Sequence, residues 1–311
     1  MPAEPAHDQA EIQRVRRPQV WCYRGIPIYR RDARGDLVLF KDRGRTLAEM
    51  GFDERTLPGE LYVLRRDKLS AIAEVQAGLN GRMLAAAAVG DHQRVKLILT
   101  QIVEETFADP RAGNLEALGQ TVKGLVEVYA GTGAALQRMA LMTSKDYSTA
   151  VHSVNVAALV MGFCLFQKRP QAEVINLGLA ALLHDLGKLF IDGGVLTAQR
   201  RLTSDEFAQI KAHPTRGLEA LAGGDFPAEV ALAVAQHHEK IDGSGYPLGL
   251  TYFSEAGQLV GLVDCYEALT SDERVYRPPM TPLDTLKLLK GDMAAGKFDR
   301  ALFEQFAYSL V

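Results

Sequence analysis

The chain has 311 residues, 47% of them apolar and 23% charged, with a formal net charge of −3. That length suits one large domain and a smaller one, each with its own core, and the near-neutral balance excludes a global basic field for polymeric nucleic acid. Three dispersed cysteines, Cys22, Cys164 and Cys265, form no CxxC pair, which argues against a thiolate metal site and suits a reducing compartment.

Residues 1–18 are rich in proline, alanine and charge and predict a disordered tail. VWCYRGIPIYRRDARGDLVLFKDRG (20–44) alternates short β-prone runs with turn signals, and ELYVL (60–64) adds a strand. Residues 19–66 therefore read as a small β-rich or α+β module. It contains no acidic pocket with a lysine of the kind that accepts phosphate. Residues 67–113 read as linking helices, with Leu69, Ile72, Val75, Leu79, Met83 and Leu84 near helical spacing. Leu97, Ile98, Ile102, Val103 and Phe107 form a second stripe, which predicts the face of a two-fold homodimer. The alternative is that the stripe packs entirely against the chain's own C-terminal helical domain. Residues 114–311 read as an all-helical domain, so the fold is mainly α. The runs AALVMGFCLF (157–166) and LGLAALL (177–183) fall short of a bilayer span, and the N-terminus lacks the apolar core of a signal peptide. The expected location is the cytoplasm, away from membrane.

Five of the seven histidines lie between positions 152 and 238. His152 stands near the start of an apolar helix, in YSTAVHSVNVAALV. His184 and Asp185 end the buried run of LGLAALLHDLGKLF. His213 is expected to end a helix in SDEFAQIKAHP, with Pro214 as the stop. His237 and His238 end EVALAVAQHHEK. Asp264 sits inside another apolar helix, QLVGLVDCYEAL. A buried carboxylate needs a cation or several hydrogen bonds, and Lys188 shares a helical face with Asp185. One helix-borne histidine is ordinarily a core residue; five, with two acids in apolar surroundings, point to metal. His7 and His92 fall outside this set. Glu239 reads equally as a support for a ligand or as a plain helix-end acid.

HDLGK, a later histidine, HHEKIDGSGYP and a helical aspartate together resemble the HD-GYP family, a branch of the HD metal-dependent phosphohydrolases. The likeness runs from about residue 140 to the C-terminus, and VLFKDRG and LYVLRRD resemble a module that precedes some HD-GYP domains. The family's members are bacterial cyclic di-GMP phosphodiesterases. The resemblance implies one divalent metal on His152, His184, Asp185 and Asp264. It implies a second on His213, His237 and His238, with Asp185 bridging, and two close metals suit in-line attack on a phosphodiester. Nitrogen and oxygen ligands are compatible with iron or manganese, less so with zinc or nickel. Lys188 would neutralise a phosphate oxygen, and Arg274 and Arg277 would contact substrate. Asp242, Gly243, Gly245, Tyr246 and Pro247 would form a stiff loop beside the site, able to serve a signalling partner. Where some members carry a glutamate that recruits a third metal, this chain has Ser148, so two are expected. The implied reaction hydrolyses cyclic di-GMP to pGpG and possibly on to GMP. Two rivals stay open: a hydrolase of another cyclic dinucleotide, and a binding protein that keeps its metals but signals without turnover.

Overall fold

The computed structural model describes residues 11–108, 110, 114–130, 135–140, 148–198, 200–271 and 279–310. The chain divides into two compact units, Met1–Arg82 and Met83–Val311. The division falls within one helix, α1 (Lys68–Ala88).

The first unit is built on a four-stranded antiparallel sheet with strand order β1-β4-β2-β3. Its strands are β1 (Ile12–Arg14), β2 (Ile28–Arg31), β3 (Leu37–Lys41) and β4 (Tyr62–Leu64). The turn signal DARGD joins β2 to β3. The carboxylate of Asp32 accepts from the amides of Arg34 and Asp36, and Gly35 takes the positive φ of 89° that such a turn needs. Ile12, Tyr29 and Leu64 bury one face of the sheet. Here the expectation of a disordered tail to residue 18 is corrected. Ile12 pairs with Leu64 in register and is buried, so residues 12–14 gain ladder bonds and apolar contact together. His7 lies outside the described residues.

The second unit is helical: α2 (His92–Ala108), α3 (Asn114–Ala130), α4 (Ala135–Ala140), α5 (Thr149–Phe166), α6 (Gln171–Leu183), α7 (Gly193–Leu196), α8 (Ser204–Lys211), α9 (His213–Leu221), α10 (Ala228–Gln236), α11 (Glu255–Thr270), α12 (Pro282–Ala294) and α13 (Arg300–Ser309). Its centre is α5, which is apolar on nearly every face and packs against α2, α4, α6, α11 and α13. Ser148 caps α5, its Oγ accepting from the Val151 amide. By length and composition α5 could cross a membrane, which the shorter apolar runs in the sequence did not suggest, yet 78% of it is buried inside this unit. A core helix and a membrane helix share composition; packing tells them apart.

Two further expectations change. Pro214 does not stop a helix; α8 ends at Lys211 and Pro214 stands in the first turn of α9, where its missing N–H costs nothing. In the proposed dimer stripe, Ile98, Ile102, Val103 and Phe107 are buried within the chain, with α2 packed on α3 and α5. Only Leu97 points outward, 69% exposed. That stripe is covered without a second copy.

Candidate metal centre

Glycines set how closely the ligand-bearing segments approach. Asp185 opens a tight 3-10 turn, Leu186–Phe190, that packs on α9. A side chain at Gly187 would meet the carbonyl of His213 and the amide of Gly217. One at Gly261 would meet the carbonyl of His237. Bare backbone at these two positions brings α9 to the HD turn and α11 to the end of α10.

The result is a convergence of imidazoles. His184 Nε2 lies 3.2 Å from His152 Nε2, and His213 Nε2 lies 3.1 Å from His237 Nε2. Three of these rings donate Nδ1–H to a carbonyl one turn back: His184 to Ala181 (2.8 Å), His213 to Ile210 (2.7 Å) and His237 to Val234 (2.9 Å). A carbonyl can only accept, so the proton sits on Nδ1 and the Nε2 lone pair points inward. Two lone pairs facing each other near 3.1 Å, as on His213 and His237, repel unless a cation lies between them.

Asp185 is central to the cluster. Its Oδ2 takes the Lys188 ammonium at 2.6 Å and lies 3.6 Å from His152 Nε2. Its Oδ1 lies 3.3 Å from His213 Nε2, yet this buried oxygen accepts no hydrogen bond. A buried carboxylate oxygen without a donor is costly. Burial alone would raise the pKa of Asp185, but Lys188 and the surrounding imidazoles hold it well below the usual carboxylate range. Asp264 completes the acids, with Oδ1 3.1 Å from His152 Nε2 and Oδ2 3.9 Å from His238 Nδ1. Two sets of groups could each hold a metal: Asp185 with His213, His237 and His238, and His152 with His184 and Asp185. The donor chemistry and the orphaned oxygen fit divalent ions, with Asp185 common to both sets.

His152 differs from the other rings. Burial opposes its charge, but Asp264 and Glu267 bind its two nitrogens and raise its pKa to about 10. Burial keeps His184 and His213 below the ordinary value, takes His237 well below it and lowers His238 to about 3. The lowered values favour the neutral, ligating form of these four rings.

The sequence reading missed Glu267 and Asn155. The carboxylate of Glu267 accepts from His152 Nδ1 at 2.5 Å, Asn155 Nδ2 at 2.7 Å and Ser271 Oγ at 2.5 Å, all buried. Their signal was present: Glu267 follows Asp264 by three in an apolar helix, and Asn155 follows His152 by three. Glu239 proves to be neither alternative raised for it. It is buried, and its two oxygens accept from the amides of Leu248 and Leu250, so it pins the loop that follows. In that loop the Asp242 carboxylate accepts from Ser244, Gly243 has a φ of 77°, and the Tyr246–Pro247 peptide is cis. Gly245 runs so close to the backbone of Glu239 and Lys240 that a Cβ would collide with it. Tyr246 thereby stacks on His238, centroids 4.6 Å apart and planes at 29°. Arg274 and Arg277 lie outside the described residues.

Comparison with known proteins agrees with this site. Residues 134–302 match the HD domain family, more than half of the chain. A cyclic di-GMP phosphodiesterase of Pseudomonas aeruginosa, PA4108, is 34% identical over 176 residues, covering 56% of this chain and 42% of that protein. A cyclic di-GMP phosphodiesterase of Vibrio cholerae is 33% identical over 210 residues, covering 62% of this chain and 41% of that protein. The matched region is thus less than half the length of either relative. The solved structure of Bd1817, an HDGYP protein from Bdellovibrio bacteriovorus, shares the fold with a TM-score of 0.62 at 19% identity, over 96% of this chain and 99% of that one. With the HD turn, the paired histidines and the DGSGYP loop at one centre, the chain belongs to the HD domain family, in its HD-GYP branch.

Proposed function

We propose that the chain is a metal-dependent phosphodiesterase that hydrolyses cyclic di-GMP to pGpG, with GMP as the product of any second round. The observation that carries this reading is the ring of inward-facing Nε2 atoms around an acid, Asp185, whose Oδ1 lacks a donor. His152, His184, Asp185 and Asp264 would hold one divalent ion, and Asp185, His213, His237 and His238 a second, iron or manganese by donor type. Such ions supply Lewis-acid charge and lower the pKa of water at neutral pH.

The protein's own groups do the rest. Carbonyls behind His184, His213 and His237 fix tautomer and ring direction, and Glu267 does so for His152. Lys188 and His238, with side chains 19% and 20% exposed, form the accessible edge of the cluster. The Lys188 ammonium is positioned to meet negative charge that builds on a non-bridging phosphate oxygen. Tyr246 stacks on His238 and would fix the orientation of that ring. Ser148, spent on capping α5, has no carboxylate to offer, which supports two ions over three.

The test is turnover of cyclic di-GMP by anaerobically purified, metal-replete protein, with products separated chromatographically and metals counted by elemental analysis. No hydrolysis would refute the reading, and three metals per chain would refute the stated role of Ser148. Lys188→Ala should slow turnover about a hundredfold with metals retained. Unchanged turnover would remove Lys188 from the mechanism.

A further inference from the structure

The segment SDEFAQIKAHP contributes His213 to the centre, but two other side chains on it are unused there. Lys211 Nζ lies 5.0 Å from the ring centroid of Phe207 and 5.9 Å from that of Tyr246. Both separations are within cation–π range. Tyr246 in turn stacks on His238. A continuous track of rings and one cation therefore leads from a candidate metal ligand onto α8.

The track ends at an open cleft of about 620 Å³, lined by Arg200, Arg201, Leu202, Thr203, Ser204 and Phe207. Its wall is rigid. Arg200 donates to both oxygens of Glu206, at 2.7 and 2.6 Å, and Glu206 closes a capping box with Thr203. Arg201 has no such tie to a carboxylate among the described residues, and Phe207 is 48% exposed. Neither the core nor the metal centre needs an exposed aromatic ring and a guanidinium lining one cleft here. A nucleotide does: a base stacks on an aromatic face, and a phosphate draws a guanidinium.

We propose that this cleft is the subsite for the half of a purine dinucleotide remote from the scissile phosphate. The remote base stacks on Phe207, Arg201 meets the second phosphate, and Lys211 lies between the two halves. At 1.5 Å of rise per residue, α8 separates Ser204 from Lys211 by about 10 Å, on the scale of a dinucleotide. This assignment rests on the cyclic dinucleotide reading above and deepens it: the metal-ligand cluster would act on the scissile phosphodiester, and the cleft would favour substrates with a second nucleotide.

The experiment uses the full-length, metal-replete protein with Phe207→Ala and Arg201→Ala, two exposed positions. Kinetics are measured on cyclic di-GMP and on bis(p-nitrophenyl) phosphate, which has no second phosphate or purine. Each variant should raise KM for cyclic di-GMP about tenfold, with kcat within about threefold. The small ester and the metal content should be unaffected, and Phe207→Trp should restore KM. Unchanged KM in both variants overturns the subsite, and so does an equal loss on both substrates, which marks a structural role. If the unsubstituted protein cleaves the small ester but neither binds nor cleaves cyclic di-GMP, the cyclic dinucleotide reading falls, and the subsite with it.

Discussion

The two ligand sets that meet at Asp185 follow opposite electrostatic plans. Around His152 the neighbours are acids: Asp264 on Nε2 and Glu267 on Nδ1, with Asp185 nearby. A proton on His152 satisfies them, and its pKa rises to about 10 against the pull of burial. Around His213, His237 and His238 the neighbours are mostly other imidazoles and backbone carbonyls, with Asp185 3.3 Å from His213 and Asp264 3.9 Å from His238, and burial still lowers the pKa of all three. The first set closes on a proton when no cation is bound. A proton is a poorer substitute in the second, where His213 and His237 already donate Nδ1–H to carbonyls and the pKa of every ring is lowered. Stability of the second set therefore depends on metal far more than stability of the first.

Substitutions can break this comparison. The largest effect is expected for Asp185→Asn, which removes the carboxylate both sets use: both metals are lost and turnover falls on the order of a thousandfold. Full metal content in that variant would mean the sets do not depend on a common acid. Next, His237→Ala should halve the metal content, and the remaining metal should be the one held by the His152 set. Loss of both would show that the sets fill as one. Smaller again, Glu267→Gln keeps shape but removes the charge behind His152. It should weaken one metal about ten- to hundredfold and leave the other alone; equal weakening of both would contradict the separate roles.

The smallest effect sharpens the comparison through pH, in metal-free protein. His152 has its folded pKa raised from an ordinary 6.5 to about 10. Its contribution is complete below pH 6.5 and is lost as pH climbs towards 10. Asp264 and Asp185 are depressed, so theirs is present above the ordinary carboxylate range and is lost in acid. Melting temperature of the metal-free protein should thus decline from pH 7 to pH 10, and His152→Gln should flatten that decline. A flat profile in the unsubstituted chain would show that His152 carries no proton there.

Much of the site was legible before any coordinates. Histidine is scarce, and histidines or acids inside apolar helices are costly enough to need a reason, so His152, His184, Asp185, His213, His237, His238 and Asp264 stand out. Glu267 and Asn155 obey the same rule and were still missed, because an acid after Asp264 passes for helix surface until its face is seen to be buried. Glu239 was ambiguous since both its partners, Leu248 and Leu250, are backbone amides, which leave no side-chain pattern. Strand β1 was mistaken for tail because three residues carry too little periodicity to register, whereas their pairing with β4 depends on a segment fifty residues away.

By itself the sequence determined most element types and which residues are candidate ligands, since periodicity and rare residues in apolar runs are local properties. Only the tertiary structure decided which lone pairs face one another, that the stripe on α2 is covered by the chain itself, and that α5 is a core helix. Those outcomes depend on how closely backbones approach, at Gly187 and Gly261 above all, and on which faces are left to water. Neither quantity is defined until distant segments pack.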